Sequence, residues 1–283
     1  MYVGYELILE NIDLLENDSK YTNNLNQESD SIVEKFNEVL LSDGKIDASK
    51  VIDEWFPNGE YHIFISHSHK DRKIAEHLAN WLYEKFNLTS FLDSHVWGYA
   101  NNLLKELNDK YAKSGDELYA YEPAISNAAH VYLMLSTALT EAIDKSECLF
   151  FINSPNTLQD LHIEGGEVES RTASPWIMHE LKTSSMLRKE HREMKGGFSM
   201  ESAGNESVQK SAEFSFNVPT EHLVKIDETV LSQWVNDCEP DLVTHSNFGL
   251  RWLRMENKKE FEALDILYTL TLNNKESHYE PES

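Results

Sequence analysis

At 283 residues the chain can bury a sizeable core without a disulfide or metal staple, and its length allows one or two domains. A hydrophobic content of 40% with 11% aromatics excludes a disordered chain. With 25 Lys and Arg against 49 Asp and Glu the net charge is −24, a surface that repels phosphate backbones and anionic lipid and so argues against nucleic-acid and membrane partners.

Residues 1–57 are acidic and Asn-rich, with helix-like pieces around 6–16, 31–41 and Ala48–Trp55. No basic-then-apolar leader opens the sequence, and no segment approaches ~20 continuous apolar residues. The stretch 42–47 resembles half of a calcium loop, but Val39, Leu41 and Lys50 occupy ligand positions, so a turn with an Asp47 cap is the better reading.

From Tyr61 the pattern changes. Residues 61–66 form a short apolar run that breaks into a polar loop, His67-Ser68-His69-Lys70. A helix follows near Asp71, with Ile74, Leu78, Leu82 and Phe86 on one stripe. A second short strand, Ser90-Phe91-Leu92-Asp93, again ends in polar residues. The middle, 94–145, exceeds one crossover: an aromatic-rich part precedes a helix over roughly 125–143.

The third strand, 147–153, is the most apolar and ends in Asn153-Ser154-Pro155. Cys148 within it reads as a buried, reduced thiol, which fits a cytoplasmic protein; Cys238 is the only other cysteine, so no disulfide framework exists. A polar loop with Gly165-Gly166 leads to Ser174-Pro175-Trp176, a helix start with a Ser cap and Pro in the first turn. Residues 193–212 read as a surface loop, 213–218 as a strand, and 230–235 and Lys259–Leu272 as helices. The coarse order from Tyr61 is β-α-β-α-β-α-β-α, an open doubly wound parallel sheet.

In such sheets ligands sit beyond the carboxyl ends of the strands, where strand order reverses. Three strands exit into polar residues at Ser66-His67, Asp93-Ser94 and Asn153-Ser154. On the helix after Ser174, Trp176 and Glu180 are i, i+4 and share one face near the positive end of the helix dipole. An indole beside a carboxylate suits a nucleoside, ring against sugar or base and carboxylate to ribose hydroxyls. Spacing alone favours the plainer reading, in which Trp176 packs helix to sheet and Glu180 is solvated.

Other chemistries lack their residues. His67, His69 and His77 offer no convincing metal set. His179-Glu180 does not extend to His-Glu-x-x-His, because Thr183 stands in the last place. No Gly-x-Ser-x-Gly elbow or phosphate loop is present.

In order, Phe64-Ile65-Ser66-His67-Ser68 with Asp71, then Phe91-Leu92-Asp93, then residues 149–154, then Ser174-x-Trp176-x-x-x-Glu180 resemble the motifs of TIR domains. The likeness is closest to bacterial TIR proteins, including those of anti-phage systems such as Thoeris, and covers roughly residues 61–272. It implies a flavodoxin-like TIR domain over 58–275, with insertions near 98–122 and 156–173; residues 1–57, which the likeness does not cover, read as an acidic and helical N-terminal extension, and 276–283 as a tail. The implied activity is NAD glycohydrolase or ADP-ribosyl cyclase: nicotinamide is released, and attack geometry decides between a linear and a cyclic product. Glu180 is the implied catalytic residue, with Ser66, His67, Ser68, Asp93, Trp97, Ser154 and Trp176 around the substrate. NAD is then a substrate, so no cofactor or metal is expected. The loop from Asp93 through Trp97 is expected to mediate self-association, with a defence-system partner protein possible. The rival expectation is a non-enzymatic TIR scaffold that only recruits other TIR proteins.

Overall fold

The computed structural model describes residues 3–9, 15, 21–23, 46–55, 61–115, 118–162, 168–187, 214–238 and 259–272. The expected helix at 31–41, the calcium-like turn before residue 46, the Gly165-Gly166 loop, the 193–212 loop and the 276–283 tail lie outside these residues.

Five strands make a parallel sheet: β1 (Val3–Ile8), β2 (Ile63–Ser66), β3 (Ser90–Leu92), β4 (Cys148–Asn153) and β8 (Val224–Ile226), in the order β3-β2-β4-β1-β8. A smaller antiparallel sheet holds β5 (Gln159–His162), β6 (Val168–Thr172) and β7 (Phe216–Asn217). The helices are α1 (Ala48–Trp55), α2 (Arg72–Phe86), α3 (Asp93–Tyr111), α4 (Tyr121–Lys145), α5 (Pro175–Met186), α6 (Glu228–Cys238) and α7 (Lys259–Leu272).

Strands covered on both faces carry continuous apolar runs, and β2 and β4 do. Ile63, Ile65, Cys148, Phe150 and Ile152 join Tyr5 and Leu7 in a core with α2, α6 and α7. Their neighbours Phe64, Phe91, Leu149 and Phe151 face the opposite way, into a second core with α1, α3, α4 and α5. The fold is therefore α/β with helices on both faces of a parallel sheet, a doubly wound arrangement. The stripe expected on α2 is confirmed by buried Leu78, Leu82 and Phe86, and the helix stops at Asn87, whose φ of 58° and N–H contacts to the Leu82 and Tyr83 carbonyls make a left-handed cap.

Several expectations are corrected. Val3–Ile8 is not helical and not an appendage: it lies inside the sheet, paired with β4 (Tyr5 opposite Phe150) and with β8 (Tyr5 opposite Val224). Val3, Tyr5 and Leu7 alternate as a strand should, but Glu6 between them breaks the continuous apolar run expected of a central parallel strand. At Gly4 a Cβ would stand 2.5 Å from Leu223 Cδ2, so a larger residue there would force the Leu223 side chain to move. Helix α1 is also part of the domain, with Val51 buried in the second core. The boundary at residue 57 therefore separates nothing among the described residues.

Asp93 begins a helix directly at the end of β3, so the expected loop through Trp97 is the first turns of α3; the Trp97 side chain lies outside the description. The 98–122 insertion is the rest of α3 and a turn closed by the Lys113–Tyr119 bridge, after which α4 packs along α3. The 156–173 loop contains the β5–β6 hairpin. The expected fourth strand at 213–218 pairs with that hairpin as β7, and its place in the main sheet goes to β1 and β8.

Candidate active site

The chain leaves β2 for β3 on one side and returns to β4 on the other, so strand order reverses between β2 and β4. That reversal opens a crevice at their carboxyl ends. A cavity of about 430 Å³ lies beside it, past the carboxyl ends of β2 and β3 and against the start of α5, lined by His67, His69, Arg72, Asp93, Ser94, Asn101, Ser174 and Trp176.

Each wall follows from local structure. His67 is the first residue past β2, and Asp93 is the first residue of α3 as it leaves β3. Ser174 caps α5, its hydroxyl accepting from the Ile177 N–H at 3.3 Å, and Pro175 opens the helix. Trp176 is fixed at the rim by the Tyr132 ring, centroids 6.0 Å apart. Arg72 stands at the start of α2 and pairs with Glu76 at 2.7 Å.

Beneath this surface lies a buried polar network. Ser66 donates its hydroxyl to Glu180 Oε2 at 2.6 Å. Glu180 is wholly buried, at 0% exposure, and does not line the cavity. Burial pushes its carboxyl well above the usual range; the negative charge of Asp93 adds to this, the Ser66 hydrogen bond opposes it, and a hydrogen bond to Asp93 favours the protonated form. Asp93 and Glu180 thus form a buried carboxyl pair in which Glu180 favours its protonated form, with Asp93 on the cavity side.

His67 Nδ1 lies 2.8 Å from Asp93 Oδ1 and 3.3 Å from the Ile65 carbonyl. Burial alone would lower the His67 pKa, yet Asp93's charge and hydrogen bond, the Ile65 carbonyl and Asp71 together raise it. Three buried atoms here lack hydrogen-bond partners: His67 Nε2, Ser94 Oγ and Glu180 Oε1. Such groups are costly to bury unpaired.

The structure thus gathers five of the eight residues singled out from sequence: Ser66, His67, Asp93, Trp176 and Glu180. Ser68 and Ser154 serve elsewhere. Ser68 caps the turn His69–Asp71, accepting from the Lys70 N–H. Ser154 donates to Asp71 Oδ2 at 2.6 Å and stands off the cavity wall. Glu180 is not solvated on its helix, because the helix face it shares with Trp176 turns toward the strand ends. Sequence reasoning missed Arg72, His69 and Asn101 as walls; Asn101 lies eight residues after Asp93 on α3, a helical spacing that would have exposed it had α3 been anticipated.

Among the described residues no group of three or more His, Cys, Asp or Glu side chains could hold a metal ion, and no helix is long and apolar enough to cross a membrane. Compared with protein families, with curated proteins and with solved structures, the chain has no match.

Proposed function

We propose that the chain is a TIR-type enzyme that cleaves the nicotinamide–ribose bond of NAD, in a cytoplasmic, defence-type role, with the Asp93–Glu180 pair as its source of negative charge. The carrying observation is that pair, with Asp93 on the wall of a cavity beside the strand switch and Glu180 buried with Ser66 beneath it. The β3-β2-β4 part of the sheet has the 2-1-3 order of flavodoxin-like folds, while β1 fills the next place.

As nicotinamide leaves, positive charge builds on the ribose, and a nearby carboxylate stabilises it. Asp93 is the member on the wall. At rest the pair retains a proton; a cation forming over Asp93 weakens that hold, so the proton passes from the Asp93 side to water in the cavity and the pair gains negative charge as the barrier is climbed. Trp176 shields one side of the site from water. Water captures the ribosyl cation to give ADP-ribose, or an adenine or ribose group of the same molecule gives a cyclic product.

One observation favours the scaffold reading: Glu180 is fully sealed, as a purely structural acid would be. Product analysis after incubating concentrated protein with NAD separates the two. Nicotinamide with a stoichiometric ADP-ribose product supports the enzyme; none at any concentration supports the scaffold.

A further inference from the structure

A chain of net charge −24 repels an anionic ligand over most of its surface, so any attraction has to be local. One stretch beside the cavity reverses the sign. Lys70, Arg72 and Lys73 fall close together where α2 begins, and the single acid among them, Asp71, gives its two carboxylate oxygens to Ser154 and Asn156. Arg72 lines the cavity, and so does His69.

The Arg72 guanidinium is anchored and still open. Its Nε donates to Glu76 Oε1 at 2.7 Å, one turn along α2, while its side chain is 42% exposed. Among the described residues its Nη1 and Nη2 make no hydrogen bond. Held at Nε, the planar group presents those two nitrogens as a fork, a shape that meets two oxygens of one phosphate.

Two further features point the same way. Asp71 stands at the cap position of α2 but makes no side-chain hydrogen bond there, so the positive end of a 15-residue helix lies beside Arg72 without a side-chain cap. Ser94, 7% exposed, lines the same cavity with its Oγ unpaired, a group that is costly to bury unless a ligand meets it. Asp93 is the one acid among the lining residues. Opposite charges on one wall suit a ligand that is anionic at its phosphate and turns cationic at its ribose. We infer that Arg72, His69 and the first turn of α2 form a phosphate subsite, so that the cavity takes a phosphorylated nucleoside in preference to the bare nucleoside. The inference rests on the reading of this cavity as a nucleotide site.

Calorimetric titration of the full chain with ADP-ribose, inorganic pyrophosphate and adenosine tests it with no bond cleaved. ADP-ribose is expected to bind at least about tenfold more tightly than adenosine, and pyrophosphate to compete with it. Arg72→Gln is expected to weaken ADP-ribose and pyrophosphate by about tenfold or more and to leave adenosine unchanged. Its melting temperature should stay at the wild-type value, because a half-exposed ion pair adds little to stability. Arg72→Lys, which keeps the charge but not the fork, should recover only part of the loss. Adenosine binding as tightly as ADP-ribose, no binding of either phosphate compound, or an ADP-ribose affinity that ignores Arg72→Gln overturns the subsite. A chain that binds ADP-ribose through Arg72 yet releases no nicotinamide from NAD keeps the subsite and loses the enzyme reading.

Discussion

At the carboxyl end of β4, Asp71 accepts from Ser154 at 2.6 Å and from Asn156 at 2.7 Å, Ser154 N–H donates to Thr157 Oγ1, and both carboxylate oxygens are used. At the carboxyl ends of β2 and β3, His67 and Ser94, which line a cavity, each keep a buried atom unpaired, and Glu180 Oε1 stays unpaired beneath them. Both clusters centre on a buried carboxylate at the same edge of one sheet. The first spends its hydrogen bonds on holding a turn to a loop, and the second leaves them for something that enters. Saturation, more than residue type, separates a structural cluster from a site.

Substitutions that treat the two carboxylates alike break or sharpen this contrast. The largest expected effect is that of Asp93→Asn, which removes the charge on the cavity wall and lowers the rate of nicotinamide release by about 10² or more, the scale for deleting a preorganised electrostatic group. Asp71→Ala is expected to do the reverse. It strands the Ser154 and Asn156 donors, costs roughly 1–3 kcal/mol of stability and lowers the melting temperature, while the turnover of folded protein stays close to wild type. Equal rate losses in the two variants would erase the distinction.

Smaller is the effect of His67→Gln, which keeps size but removes a titrating ring. KM for NAD should rise roughly threefold to tenfold, the worth of a hydrogen bond of about 1 kcal/mol. Because the His67 pKa is raised, the wild-type cluster becomes more negative as pH climbs past it, so the rate should increase with pH; the variant should flatten that limb. Unchanged kinetics and pH profile would strike His67 from the site.

Three of the polar strand exits were legible in the sequence because continuous apolar runs end abruptly at Ser66, Asp93 and Asn153. The start of α5 was legible too, since Ser174-Pro175 is a cap with a mechanism. Which side of the sheet an exit residue serves was not: Ser154 follows β4 as His67 follows β2, yet one closes a loop and the other lines a cavity. The i, i+4 spacing of Trp176 and Glu180 gave a shared face but not its orientation, and orientation alone buries Glu180. β1 stayed hidden because Glu6 interrupts its apolar pattern, and only the fold supplies Asn153, donating at 2.6 Å, to make that acid tolerable. The β5 and β6 strands are mostly polar in sequence, with Leu161 and Val168 their only apolar residues, and carry no period to read.

Glu180→Gln tests the central claim most directly, because it separates folding from chemistry at the same buried position. In the folded chain the Glu180 carboxyl holds its proton well above the ordinary value of 4.5, so wild-type stability should fall as pH rises from there through the raised value. Gln cannot ionise, so that loss should vanish and the variant should melt no lower than wild type at alkaline pH. It also fixes the pair at a single negative charge, so nicotinamide release from NAD should drop by about 10² or more. A stable variant that has lost its rate is the expected result. A variant that cleaves NAD as fast as wild type contradicts the account.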